Sequence, residues 1–186
     1  RYVALAVPLA RGWERQTDVG DNPLFYNDGA LTPASYHRWL HQLAVRWVAV
    51  PADKLDFGSV DEADLIASGL PYLHLEWQSK TWKLYRVQDS TPLARRATVT
   101  SVGGGRITLV VSHAGRVPLQ VRWSNHLSVL DGTRPLVPGV PAQGCLARRG
   151  QWTTLRASQP GTYVLGADFD AIPGVARPGG VCPTPH

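Results

Sequence analysis

The sequence predicts an α+β protein, a small mixed α/β sheet domain followed by an antiparallel β-sandwich. Strand and helix patterns alternate through the first ninety of the 186 residues. After Pro92 short strand-like segments recur between turns, and no helix pattern follows. We assign a mixed α/β domain to residues 1–90, a β-sandwich of immunoglobulin-like or carbohydrate-binding-module-like type to 91–170, and a Pro/Gly-rich surface tail to 171–186.

The first domain opens on a short apolar strand, Tyr2–Val7, which Pro8 ends. Residues 9–31 then show no period and are rich in turn-forming residues. A structureless run of this length in a compact domain is uncommon, and it tends to be functional when it is ordered. We therefore expect a long ordered loop over 9–31.

A helix follows, with Thr32 as its N-cap and Pro33 in the first helical position. Its apolar face consists of Tyr36, Trp39, Leu40, Leu43 and Ala44. Val45–Val50 reads as a buried strand because it is β-branched and aromatic.

A second helix is predicted from the capping-box spacing of Ser59 and Glu62, and Gly69 and Pro71 end it. Two strands, Tyr72–Trp77 and Trp82–Val87, complete the domain. This order of elements predicts a small mixed sheet with helices packed against it.

The second half is predicted to be all β, with turns every eight to twelve residues. Gly103–Gly105 is expected to be a hairpin turn, and Pro160–Gly161 is expected to introduce a final hairpin. The predicted strands are Ala97–Val102, Arg106–Ser112, Val117–Trp123, Leu127–Leu130, Gly144–Ala147, Trp152–Arg156 and Thr162–Gly166.

The two cysteines, Cys145 and Cys182, are compatible with one disulfide that ties the tail to the body of the domain. We favour this disulfide over two free thiols, and a disulfide indicates an oxidising, exported location. The chain begins with Arg1 and contains no Met, which we interpret as a sign of an excised or processed fragment.

Charge and hydropathy exclude several classes of protein. The net charge is +5, but the basic residues are sixteen scattered arginines and three lysines, without the basic stripe of a nucleic-acid-binding protein. We therefore expect no nucleic-acid partner. No apolar stretch approaches the ~20 residues that a membrane-spanning helix needs.

Catalytic and metal-binding patterns are also missing from the sequence. There is no GxSxG elbow, and the Gly103–Gly105 run lies between strands, where no helix N-terminus can hold a phosphate. His37 and His41 have helical i, i+4 spacing but lack the glutamate of an HExxH site, so we interpret them as two solvated histidines. We predict no catalytic residue, no metal and no cofactor.

Residues 12–26 combine aromatic, acidic, basic and amide side chains, the groups with which a protein holds a sugar or another polar ligand. The candidate ligand-binding residues are Trp13, Glu14, Arg15, Gln16, Asp18, Asn22 and Tyr26. The alternative is a structural loop that Trp13, Phe25 and Tyr26 pin over the sheet, with Glu14 and Arg15 paired locally.

Several segments together resemble the C-terminal extracytoplasmic region of large multispanning membrane proteins of high-GC Gram-positive bacteria, which are often likened to GT-C glycosyltransferases. The segments are Gly12–Asp18, Asn22–Tyr26, Leu31–Leu40 (LTPASYHRWL), Val45–Pro51 (VRWVAVP), Trp82–Val87 (WKLYRV), Ala97–Trp123 and Trp152–Leu165. The resemblance implies an outward-facing domain tethered to a membrane-embedded partner domain that uses lipid-linked sugar donors. The catalytic acid of GT-C enzymes lies in transmembrane-part loops that this chain lacks, so no catalytic residue carries over.

The expected function is therefore that of an extracytoplasmic accessory domain of a membrane-embedded glycosyltransferase-like protein. Its expected partners are the transmembrane portion of the same parent protein and a cell-envelope glycan or lipid-linked sugar. One alternative is a secreted carbohydrate-active hydrolase that uses Glu14, Asp18 or Asp53, since glycosidase chemistry needs two nearby carboxyl groups. Another is a structural or interaction domain without a ligand.

Overall fold

The computed structural model describes residues 9–11, 15–131, 144–167 and 182, with the backbone alone for 15–17, 131 and 167. The chain is α+β, and antiparallel sheets carry most of its regular structure. It divides into two compact units, residues 9–91 and the described residues from Pro92 onward. The predicted strand Tyr2–Val7 and most of the predicted tail lie outside the described residues.

The first unit holds the helices of the described chain and a three-stranded sheet. In chain order its elements are α1 (Arg15–Asp21), a 3₁₀ turn (Pro23–Phe25), α2 (Pro33–Gln42), β1 (Trp47–Pro51), α3 (Phe57–Ala67), β2 (Leu73–Gln78) and β3 (Trp82–Val87). The predicted start of α2 is confirmed. The Thr32 side chain accepts from the Ser35 amide at 3.1 Å, and the Ser35 hydroxyl accepts from the Thr32 amide at 2.8 Å.

The described strands of this sheet run in the order β1-β3-β2, and both pairings are antiparallel. β1 was expected to be buried, but Val48 is its one buried residue, because β1 lies at the edge of the described sheet. The core of the unit packs the apolar face of α2 against α3 and one face of the sheet. Its buried members are Phe25, Tyr36, Trp39, Leu40, Val48, Ile66, Leu70 and Val87.

Two local predictions for this unit are wrong. The segment 9–31 was expected to lack regular structure, but it contains α1 and the 3₁₀ turn, which are too short to produce a visible hydrophobic period. The Ser59–Glu62 capping box does not form, because α3 begins at Phe57 with Asp56 as its N-cap residue. Glu62 makes long-range contacts instead, and these form part of the site described below.

The described residues of the second unit form seven strands, each within a few residues of its predicted position. They are β4 (Thr98–Gly103), β5 (Arg106–Val111), β6 (Gly115–Arg122), β7 (Leu127–Asp131), β8 (Gly144–Arg149), β9 (Trp152–Ala157) and β10 (Gly161–Ala167). They form an antiparallel four-stranded sheet, β4-β5-β10-β7, and an antiparallel three-stranded sheet, β6-β9-β8.

One hydrophobic cluster draws on both sheets of the second unit, including Leu109 and Tyr163 from the first and Leu146 and Leu155 from the second. The predicted glycine turn between β4 and β5 is confirmed, because Gly104 and Gly105 have φ of 58° and 72°, as a tight two-residue hairpin turn requires. The predicted final hairpin at Pro160–Gly161 is wrong. β9 and β10 belong to different sheets, so this turn carries the chain from one sheet to the other.

The predicted disulfide between Cys145 and Cys182 is confirmed, with an S–S distance of 2.02 Å. The Cys182 amide also donates to the Leu146 carbonyl at 2.8 Å, so this point of the tail is fixed to β8. No helix in the described part of the chain is long and apolar enough to cross a membrane.

Candidate ligand-binding cleft

Arg11 is the centre of a network of charges and hydrogen bonds in the first unit. Its guanidinium donates to the Glu62 carboxylate at 2.5 Å, to the Gly58 carbonyl at 2.9 Å and, through two nitrogens, to the Asp18 carboxylate at 3.3 Å. The same guanidinium lies 3.9 Å from the centre of the Phe25 ring. Arg11 therefore joins the start of the described chain to α1 and α3.

The Asp18 carboxylate is almost entirely buried, with an exposed fraction of 3%. Besides Arg11 it accepts from the Tyr26 hydroxyl at 2.5 Å and from the Asn22 side-chain amide at 2.8 Å. The side-chain oxygen of Asn22, Oδ1, in turn accepts from the Trp39 indole at 2.9 Å. Asp18 and Asn22 meet because they are four residues apart at the end of α1.

Burial and these partners shift the pKa values of Asp18, Tyr26 and Tyr36. Burial disfavours the ionised form of Asp18, but the hydrogen bonds from Tyr26 and Asn22 and the charge of Arg11 outweigh it and hold the Asp18 pKa below its ordinary value. Burial and then the bond to Asp18 raise the pKa of Tyr26. The Tyr36 pKa is raised by burial and by Glu62, which accepts from the Tyr36 hydroxyl at 2.7 Å.

Gly58 shows how closely the network is packed. A Cβ atom at this position would lie 3.0 Å from Cε1 and 3.1 Å from the hydroxyl oxygen of Tyr26, and this is closer than almost all real Cβ contacts. Glycine therefore lets the first turn of α3 approach Tyr26, while its own carbonyl accepts from Arg11.

An open cleft of about 520 Å³ lies above this network. Arg11, Asp18, Tyr26 and Glu62 contribute to its lining, and so do aromatic side chains from β1, α3 and β3. These aromatics are unusually exposed, with fractions of 40% for Trp47, 77% for Phe57 and 42% for Trp82. Apolar ring faces beside a small number of fixed polar groups suit a polar ligand with an apolar face.

The structure brings together three of the seven candidate ligand-binding residues, Asp18, Asn22 and Tyr26. All three contribute to fixing the segment that contains them, which agrees with the structural alternative for their role. Arg15 and Gln16 lie in α1, where the backbone alone is described, and Trp13 and Glu14 lie outside the described residues.

Sequence reasoning missed Arg11, Glu62, Trp47, Phe57 and Trp82. The partners of Arg11 are distant in sequence, and Glu62 matched a capping motif. Trp47 and Trp82 lie in predicted strands, and period-2 alternation with the buried Val48 and Val87 is the signal that places them outside the core.

The two histidines of α2 are not simply solvated, contrary to the prediction. Their rings lie 4.3 Å apart, the His37 ring packs 4.3 Å from the Tyr72 ring, and His41 Nδ1 lies 3.3 Å from the Thr91 hydroxyl. Burial and then the neighbouring His41 lower the pKa of His37. Across the described residues, no group of three or more His, Cys, Asp or Glu side chains is placed to hold a metal ion.

A family model described as a domain of unknown function (DUF8823) matches residues 94–185. The match falls on the second unit and does not include the cleft. No curated protein and no solved structure is significantly similar to the chain.

Proposed function

We propose that this chain is an extracytoplasmic accessory domain of a membrane-embedded glycosyltransferase-like protein, and that its first unit binds a glycan in the cleft above Arg11. The observation that carries the glycan part is the set of exposed aromatic rings, Trp47, Phe57 and Trp82, around a cleft with hydrogen-bonding groups. Sugar rings have apolar faces and polar rims, so stacking and hydrogen bonding act on them together.

The state of Asp18 in the network beneath the cleft favours binding over hydrolysis. A glycosidase needs one carboxyl group that stays protonated near neutral pH as general acid. Asp18 has the opposite property, because Arg11, Asn22 and Tyr26 stabilise its ionised form. Asp53 is exposed and is not part of the cleft lining. These features favour a role in holding a glycan or positioning an acceptor for chemistry elsewhere in the parent protein.

The extracytoplasmic location draws support from the Cys145–Cys182 disulfide, since disulfides persist in oxidising compartments. For the second unit we propose a β-sandwich of immunoglobulin-like or carbohydrate-binding-module-like type. Two antiparallel sheets that share one hydrophobic cluster support this architecture.

Calorimetric titration of the 186-residue chain with soluble cell-wall mono- and disaccharides tests the binding proposal. We expect saturable binding, and Trp82→Ala should weaken it about tenfold, as loss of a stacked aromatic anchor does. Val110→Ala is the control, because Val110 is exposed but lies in the second unit. An equal affinity of the wild type and Trp82→Ala would contradict a site at this cleft.

The location is tested separately with the full-length parent protein in cells. We expect it in the membrane fraction, with this chain degraded by protease added from outside. A full-length protein that fractionates with the cytosol, or a chain protected until the membrane is opened, would refute the extracytoplasmic placement without bearing on glycan binding.

A further inference from the structure

Three tryptophans share the outer face of the three-stranded sheet. In the strand register Trp47 pairs with Arg86 and Trp77 pairs with Leu84. These two partners lie four and two residues from Trp82 along β3, which are both even numbers. Paired residues project to the same face, and residues two apart along a strand do so too. The opposite face carries Val48 and Val87, which are buried in the core.

The aromatic surface continues beyond the cleft. Trp47 and Trp82 line the cleft, whereas Trp77 is not part of its lining and has an exposed fraction of 53%. All but one of the exposed large apolar side chains of the described chain belong to the first unit, and the exception is Val110. Exposed apolar groups gathered in this way indicate a binding surface.

Strand geometry sets the spacing of the three tryptophans. Trp47 pairs with Arg86, four residues from Trp82 along β3, so the two lie ~13 Å apart in the strand direction. Trp77 pairs with Leu84, two residues from Trp82, so it lies ~7 Å along and ~5 Å across from it. One sugar ring cannot contact all three side chains, but a chain of several sugars can.

The polar groups of this face can form hydrogen bonds to a sugar chain. The Arg86 guanidinium donates to the Glu76 carboxylate at 3.1 Å, so these two exposed charges neutralise each other and leave hydrogen-bonding capacity. Lys83 pairs with Val50 and Gln78, which places it on the opposite face. The face therefore offers aromatic rings, the Arg86–Glu76 ion pair and His74, which pairs with Arg86. One further cation borders it, because the Arg46 guanidinium lies 6.0 Å from the centre of the Trp47 ring.

We propose that the glycan is a linear oligosaccharide that runs from the cleft across the outer face of the sheet, and that Trp77 forms its distal subsite. This inference rests on the proposed glycan binding at the cleft and adds the length and direction of the ligand. A monosaccharide occupies the cleft alone and does not contact Trp77.

The test is a calorimetric titration with neutral arabinan, galactan, mannan and glucan ladders, from monosaccharide to hexasaccharide. In the wild type, affinity for one ladder should rise with length. Trp77→Ala should weaken the longest ligand about tenfold and leave the shortest unchanged, whereas Trp82→Ala should weaken every length. Leu75→Ala is the matched control, because Leu75 is exposed on the same strand but pairs with Tyr85 on the core face. Leu75 and Trp77 lie on opposite faces although they are two residues apart, because β2 has a bulge between them.

The outcomes separate the two proposals. Binding that Trp82→Ala weakens and Trp77→Ala leaves unchanged at every length would overturn the distal subsite and leave the cleft in place. Absence of binding by the wild type at every length would overturn both. If Trp77→Ala instead abolishes binding to phosphatidylglycerol vesicles, or concentration-dependent dimerisation, with no effect on sugars, the face binds lipid or a second copy and the inference is wrong. Far-UV circular dichroism confirms that each variant is folded.

Discussion

Replacement of Asp18 by Asn should destabilise the first unit by about 3 kcal/mol at neutral pH. One Asp18 oxygen accepts from Tyr26 at 2.5 Å and from two Arg11 nitrogens at 3.3 Å. In the Asp18→Asn variant the side-chain NH₂ group can occupy the position of that oxygen. There it would face the Tyr26 hydroxyl and the Arg11 nitrogens, which are themselves donors. Each charge-assisted hydrogen bond contributes about 1.5–3 kcal/mol, and Arg11 retains Glu62, so a loss of about 3 kcal/mol follows.

The loss of stability caused by Asp18→Asn should become smaller as the pH falls. The pKa of Asp18 is lower in the folded protein than its ordinary value, so its ionised form stabilises the fold at every pH above the unfolded value of about 4. The contribution disappears as the pH falls through the lower folded pKa. The difference between wild type and Asp18→Asn should therefore be full at pH ~7 and shrink below pH ~4.

The assay is urea denaturation of the whole chain, followed by the helical far-UV circular-dichroism signal. The helices of the described chain all lie in the first unit, so this signal reports that unit. Asp28→Asn, which removes an exposed carboxylate from the same segment, is the control and should change stability by less than about 0.5 kcal/mol. A loss below about 1 kcal/mol, or an equal loss in acid, would refute the electrostatic reasoning.

Three further predictions concern stability. Trp39→Phe keeps most of the packing but removes the indole hydrogen bond at 2.9 Å, and should cost about 1–2 kcal/mol in the same urea assay. Gly144→Ala places a Cβ 2.7 Å from the Tyr163 ring and should lower thermal stability of the second unit by about 1–3 kcal/mol, measured by calorimetry. Reduction of Cys145–Cys182, separated by 37 residues, should cost about 4 kcal/mol in urea with reductant.

A specific result would contradict each of these three stability predictions. Gly20→Ala introduces a methyl group with nothing within 4 Å, so it should be neutral or stabilising, and an equal loss at Gly20 and Gly144 would contradict the steric argument. An unchanged unfolding midpoint after Trp39→Phe would show that Asn22 finds another donor. Reduction without effect would show that the disulfide does not constrain the unfolded chain.

Features that depend on neighbours in sequence were predictable. Thr32 and Pro33 specify the start of α2 through contacts within four residues, and the Gly103–Gly105 run specifies the β4–β5 turn through its φ angles. The strands of the second unit were also found, because each is a short apolar segment between turns.

Features that depend on distant partners were not predictable. Glu62 has the spacing of a capping box with Ser59, but the helix starts earlier, and Glu62 instead pairs with Arg11, 51 residues away. The turn at Pro160–Gly161 has the same local sequence whether the next strand stays in its sheet or changes sheets. Which sheet the next strand joins depends on where β5 and β7 lie, and no local sequence pattern determines their position.

The aromatic cluster of the first unit also allows the state of its core to be followed by intrinsic spectroscopic signals. Trp39 is buried and lies 6.0 Å from Tyr36 at an interplanar angle of 10° and 4.9 Å from Phe25 at 85°, so its ring has a fixed, asymmetric environment. It should contribute a near-UV circular-dichroism band that disappears when this core opens. Trp47, Trp77 and Trp82 face solvent, so added iodide should quench their fluorescence and leave that of Trp39. In a variant in which Trp13, Trp123 and Trp152 are replaced by Phe, loss of core packing and occupation of the outer face can therefore be observed separately in one sample, without any label.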